Sequence, residues 1–185
     1  MSTVIAISGS LRKGSFNTAL IKLAASMAPA DCQIEIASIR EIPLYDGDVD
    51  AQGQPPSVVA LKQKIAAADA LLLATPEYNH SLPGVLKNAI DWLSRPAKDI
   101  PRVFGGHVVG LIGAGGVSAT RFAQAAWLPV FRILQLVPYF GKQVHIPMAS
   151  KAFDAEGKLV DDTARAALED YMQGFASFVS AVRKG

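Results

Sequence analysis

The chain has 185 residues, half of them hydrophobic and 18% charged, and its 18 Lys and Arg against 16 Asp and Glu give a net charge of +2. At roughly 150 residues per domain this predicts one domain over 1–185, able to bury about 70% of its unfolded surface without staples. The charge is too sparse for a disordered chain, too plentiful for a membrane bundle, and too scattered for a large nucleic-acid footprint, which leaves a compact protein with a small-molecule partner.

The first apolar run, Val4 to Ser8, follows no basic segment and stops after a few residues, so it reads as a strand and not as a signal peptide. It leads into Gly9-Ser10-Leu11-Arg12-Lys13-Gly14-Ser15-Phe16-Asn17. A tight loop between a strand's carboxyl end and a helix N-terminus aims backbone N–H groups and the positive helix dipole at one spot, a ready phosphate site. Ser10, Ser15 and Asn17 add side-chain donors there, and Arg12 adds a guanidinium. Gly9 and Gly14 have Walker A spacing, but Ser15 and Phe16 stand where a Lys and a hydroxyl belong. The loop therefore suits a phosphate monoester rather than a nucleoside triphosphate. An ordinary Gly/Ser turn remains the alternative on local sequence alone.

With Asn17 as N-cap, Leu20, Leu23, Ala24 and Met27 share one face of a first helix. Gln33 to Ala37 is a second strand, and Asp46 to Pro56 reads as a flexible connection rich in Gly, Pro, Asp and Gln. Val58, Leu61, Ile65 and Ala68 form a second helical face behind Ser57. Ala70 to Thr75, apolar on both faces, is the third strand.

It ends in Thr75-Pro76-Glu77-Tyr78-Asn79-His80-Ser81-Leu82-Pro83-Gly84. Open parallel sheets bind ligands beyond such carboxyl ends. Two prolines stiffen this loop, Tyr78 offers a flat surface and Asn79 can read ring heteroatoms, a set that suits an aromatic cofactor. A plain turn with an exposed Tyr is the alternative. A third helix starts near Pro83, and His107 to Gly113 is the fourth strand.

The next segment, Gly113-Ala114-Gly115-Gly116-Val117-Ser118, is a degraded Gly-x-Gly-x-x-Gly with no acidic residue about 20 positions on, so it is no dinucleotide fingerprint. Its glycines permit close approach of backbone to a bulky ligand or a positive φ. A fourth helix covers part of Ser118 to Leu136, and Val144 to Ile146 is a short fifth strand. Lys151 to Lys158 is a surface turn. In the last helix Leu168, Met172, Phe175, Val179 and Val182 form an apolar stripe, with Asp161 and Asp162 at its start and Arg183 and Lys184 at its end, matching the helix dipole. Five strands alternating with five helices predict an α/β fold with a parallel sheet.

The loops Gly9–Asn17 and Pro76-Glu77-Tyr78-Asn79, with Leu86-Lys87-Asn88-Ala89-Ile90-Asp91-Trp92-Leu93-Ser94-Arg95 and Ile42-Pro43-Leu44-Tyr45-Asp46, resemble the NADPH-dependent FMN reductase family. That group is flavodoxin-like and includes bacterial chromate, quinone and azo-dye reductases. The resemblance implies a three-layer sandwich on a five-stranded parallel sheet of order 2-1-3-4-5. It also implies FMN, with the phosphate on Ser10, Arg12, Ser15, Phe16 and Asn17. The ring would lie against Pro76, Glu77, Tyr78, Asn79 and His80, flanked by Gly113, Ala114, Gly115 and Gly116. NADPH or NADH would be the co-substrate and a small molecule the acceptor, in a cytoplasmic homodimer or homotetramer. The chain departs from close family members at Arg121-Phe122-Ala123-Gln124-Ala125-Ala126-Trp127-Leu128-Pro129-Val130-Phe131-Arg132, where a more polar helix is usual.

His80, His107 and His145 lack metal-ligand spacing, and two of them fall in or beside strands. The single Cys32 cannot form an internal disulfide and points to a reducing compartment; it lacks the Arg six positions later of a phosphatase loop, where Ser38 stands. Trp92 and Trp127 read as core or interface anchors, and exposed apolar surface between Phe122 and Phe140 would favour an oligomer. No side chain is assigned a catalytic role, Glu77 included, because hydride transfer to a flavin needs no protein acid or base at carbon. A non-enzymatic electron carrier of flavodoxin type is the alternative function. Such carriers are strongly acidic, and the +2 balance weighs against it.

Overall fold

The computed structural model describes residues 1–184. The elements run β1 (Ser2–Ser8), α1 (Phe16–Ser26), β2 (Cys32–Ala37), α2 (Gly47–Gln52), α3 (Pro56–Ala67), β3 (Ala70–Ala74), α4 (Gly84–Leu93), α5 (Ile100–Val103), β4 (Val108–Ala114), α6 (Arg121–Ala126), α7 (Leu128–Ile133), β5 (Val137–Pro138), β6 (Val144–Ile146), α8 (Ala149–Ala152) and α9 (Asp162–Lys184). All pairings are parallel, in the order β2-β1-β3-β4-β5, and β6 also pairs with β4. This is the flavodoxin-like order.

Strand geometry explains the layers. Alternate residues of β1 point to opposite faces, so Val4 and Ala6 join α1 and α9 while Ile5 and Ile7 join α3, α4, α5 and α7. β3 is buried along its whole length, as a strand covered on both sides must be. Trp92 and Trp127 are fully buried on the α3–α4 face and serve the core. Cys32 is a buried free thiol whose pKa burial raises, which suits a structural residue. In α9 the stripe Leu168, Met172, Phe175 and Val179 is buried, but Val182 is exposed because the helix runs past the edge of the core. Arg183 bonds back to Asp69 at 3.2 Å, and the Lys184 side chain lies outside the described ones.

Several local expectations are corrected. Ser15, not Asn17, caps α1, its hydroxyl accepting from the Thr18 N–H at 3.2 Å. α3 begins at Pro56, a residue suited to a first helical position, and Ser57 donates instead to the Glu41 carbonyl at 2.9 Å. The connection 46–56 contains α2, capped by Asp46, and the turn 151–158 begins inside α8. The segment 118–136 forms two short helices, α6 and α7, with Pro129 in the first turn of the second.

The fifth strand is also in two pieces. β6 lies where expected, beside Ile112–Ala114, but β5 pairs with Val108 and Val109. Between them residues 139–143 leave the sheet, and a cavity of about 290 Å³ lies there, lined by Leu111, Leu128, Phe131 and Phe140 together with Arg121 and His145.

Candidate active site

In this strand order the chain leaves β1 toward one side and β3 toward the other, so a crevice opens beyond their carboxyl ends. The three segments singled out in the sequence all converge there. Gly9 donates its N–H to the Ala74 carbonyl at 2.8 Å, and a Cβ on Gly9 would stand 2.9 Å from Pro76 and 3.1 Å from Pro83. Only glycine allows the first loop to lie this close to the second.

The first loop is built around α1. Its first turn leaves the Phe16 and Asn17 N–H groups without helical partners, as every helix start must. The Ser10 hydroxyl accepts from the Arg12 N–H at 3.4 Å and keeps its own proton to donate. The Arg12 guanidinium lies over the Phe16 ring, 5.2 Å from its centroid, which holds the cation beside the helix start. Asn17 has a different task from the one its position suggests. Its buried side-chain amide donates to the Ala114 carbonyl at 2.8 Å and accepts from the Ala114 N–H at 3.0 Å. That pairing commits the amide to β4, while the backbone N–H of Asn17 stays at the open helix start.

The second loop is a tight hairpin. Tyr78 and Ser81 exchange backbone hydrogen bonds of 3.2 and 3.0 Å, and both central residues, Asn79 and His80, have positive φ of 50° and 56°. Those signs define a type I′ turn, which Asn favours and His accepts at a cost. Tyr78 is left half exposed above it. Behind the hairpin, Thr75 is anchored by the Trp127 indole, whose N–H donates to its hydroxyl at 3.1 Å.

The Glu77 carboxylate is engaged by the start of α6. It accepts from the Ser118 hydroxyl, from the Phe122 N–H at 2.9 Å and from the Ala123 N–H at 3.1 Å. It thus caps α6, whose own N-cap residue Thr120 makes no side-chain cap bond. Partial burial works to raise its pKa, but the Ser118 hydroxyl, the two backbone N–H groups and nearby His80 outweigh that and hold it below the usual value.

The glycine loop divides by position. None of Gly113, Gly115 and Gly116 has positive φ. A Cβ on Gly113 would fall 2.1 Å from the Thr120 hydroxyl, and one on Gly115 would fall 3.0 Å from the Thr120 methyl, so both accommodate the chain itself. Gly116 faces open space, with nothing within 4 Å of its Cβ position. The left-handed residues here are Ala119 and Thr120, with φ of 53° and 64°, neither of which announces such a conformation in sequence. Sequence reasoning also missed Phe122 as a neighbour of His80; their rings stack at 4.6 Å. Among the described residues no group of three His, Cys, Asp or Glu gathers to hold a metal.

The residues present fit FMN. Backbone donors, two hydroxyls and a guanidinium gather at one end, where a phosphate needs them, and Gly116 and Tyr78 leave room and a flat surface at the other.

A model of the NADPH-dependent FMN reductase family matches residues 2–151. An NAD(P)H-dependent FMN reductase of Pseudomonas aeruginosa is 44% identical over 181 residues, covering 97% of this chain and 96% of that protein. A 2-hydroxy-1,4-benzoquinone reductase of a Burkholderia species is 39% identical over 177 residues, covering 95% of each. Among solved structures, the flavoenzyme NAD(P)H:(acceptor) oxidoreductase FerB of Paracoccus denitrificans superposes with a TM-score of 0.87 at 32% identity, covering 98% of both chains.

Proposed function

The chain belongs to the NADPH-dependent FMN reductase family, and from that premise we propose that it is an oxidoreductase that passes hydride equivalents from NADPH or NADH through FMN to a quinone-class acceptor. The observation that carries this reading is the convergence of the α1 donors, the hairpin of Tyr78 and the open face of Gly116 on one crevice. Bound there, FMN supplies the hydride uptake and release that no side chain of this protein carries.

The chain supplies position and electrostatics. The Phe16 and Asn17 N–H groups, the Ser10 and Ser15 hydroxyls and Arg12 would hold the phosphate dianion, favoured by the positive end of α1. Pro76, Tyr78 and Asn79 would face the ring, with Gly116 beside it. Glu77 contributes by holding the hairpin to α6, with its charge occupied by three donors and no free proton to transfer. Quinones are the acceptor class supported by the relatives' names; free flavin, azo dyes and metal oxyanions are further acceptors we propose for the same crevice.

We further propose a cytoplasmic homodimer or homotetramer acting as one flavin-binding unit per chain. The buried free thiol of Cys32 supports the reducing compartment, and the exposed Ile133 and Phe140 beside the split sheet edge support self-association. Light scattering of the eluting protein measures the subunit number.

The deciding experiment is a visible spectrum of the purified protein with FMN, followed by titration with NADPH and NADH. Flavin absorbance that bleaches with either donor is the expected result. A colourless protein that oxidises neither donor after FMN addition overturns the reading.

A further inference from the structure

Two aromatic side chains from different parts of the chain meet at the mouth of the crevice. The His80 and Phe122 rings lie 4.6 Å apart, centroid to centroid, and 21° from parallel. Each is placed by a separate device. The left-handed Asn79 and His80 backbone turns the imidazole toward α6. The Glu77 carboxylate fixes the other side by accepting from the Phe122 N–H itself. Stacking in this way does not bury the pair: His80 is exposed and Phe122 keeps 52% of its surface open.

An apolar ring rigidly held and still half open presents a π face for a third flat group. We propose that Phe122, supported by His80, is the specificity-determining residue for the acceptor and selects flat, fused-ring quinones over small inorganic oxidants. The inference rests on the crevice being the reaction site. Phe122 takes no part in the chemistry: a quinone takes up two electrons and two protons, one hydride equivalent originating from the nicotinamide donor and one proton from solvent, and leaves as the hydroquinone. The ring acts on binding alone.

The test uses FMN-loaded protein carrying Phe122→Ala, with Phe122→Leu as a variant that keeps apolar bulk without a π face, and Phe122→Tyr as the conservative variant. Naphthoquinone is titrated calorimetrically into the oxidised protein, and turnover with NADPH is measured with naphthoquinone and with ferricyanide. In the Ala and Leu variants Kd and KM for naphthoquinone should rise about five- to tenfold, the weight of one aromatic contact, with ferricyanide turnover within about twofold of wild type; the Tyr variant should restore quinone binding. Unchanged naphthoquinone Kd in both variants overturns the proposal, as does a parallel loss with the two acceptors. Wild-type protein that oxidises no NADPH with either acceptor defeats the crevice reading itself, and is thereby distinguished from a failure confined to Phe122.

Discussion

Asn17 and Ala114 hold one another by two reciprocal hydrogen bonds of 2.8 and 3.0 Å, buried between the start of α1 and the end of β4. The amide of Asn17 matches a peptide group in both donor and acceptor, so it extends the sheet's hydrogen bonding sideways to the helix. The loop between β1 and α1 and the glycine loop after β4 are thereby fixed relative to each other.

Asn17→Ala should leave the Ala114 N–H and carbonyl buried and unpaired. Each such group costs about 1–3 kcal/mol, so a stability loss of about 2–6 kcal/mol is expected in urea denaturation. FMN affinity should fall as well, because the α1 start is no longer held. A variant as stable as wild type would show that water replaces the clamp.

Arg12→Ala should leave folding intact, since Arg12 lies in an exposed loop and makes no ion pair among the described residues. Loss of one charge-assisted bond to a phosphate is worth about 1.5–3 kcal/mol, an increase of roughly 10- to 100-fold in the FMN Kd. Fluorescence quenching of FMN on titration measures it. Equal affinity removes Arg12 from the phosphate site.

Glu77→Gln tests the cap on α6. Folding lowers the Glu77 pKa below its ordinary value of 4.5, so its ionised form contributes stability above that pH and loses it as pH falls through the lower folded value. At pH 7 the variant should be less stable by about 1 kcal/mol, the usual weight of a cap. The gap should close as urea melts are repeated at pH values below 4.5. A gap independent of pH would mean that lost geometry, not charge, explains it.

Gly113→Ala and Gly116→Ala form a matched pair. The first would place a Cβ 2.1 Å from the Thr120 hydroxyl and 2.8 Å from the Thr75 carbonyl, and should cost at least ~3 kcal/mol or prevent folding. The second enters open space at negative φ and should melt within a degree or two of wild type. Its FMN Kd should nevertheless rise, because the added methyl would face the ring. Thermal melts and FMN titration of both variants check the contrast.

The architecture was readable because its signals are local. Apolar runs of strand length alternate with helical spacing, and Gly, Pro and Asn mark the strand-to-helix turns, so the three loops at the carboxyl edge could be located from Ser8, Thr75 and Gly113 alone. The helix start was misplaced by two residues because Ser15 and Asn17 are both good caps, and the choice depends on which side chain another element occupies. The broken fifth strand was unreadable for a related reason: Val137 and Pro138 form a strand only because β4 offers them partners.

The sequence by itself determined the parallel sheet, the order of loops along its carboxyl edge and the family they resemble, since periodicity and turn chemistry act over a few residues. Tertiary structure alone decided what the polar side chains of those loops do. Asn17 meets Ala114 across 97 positions and Glu77 meets Phe122 across 45, contacts fixed by sheet register and helix packing. The same packing stacked His80 on Phe122 and left Gly116, of the three glycines, with open space beside it.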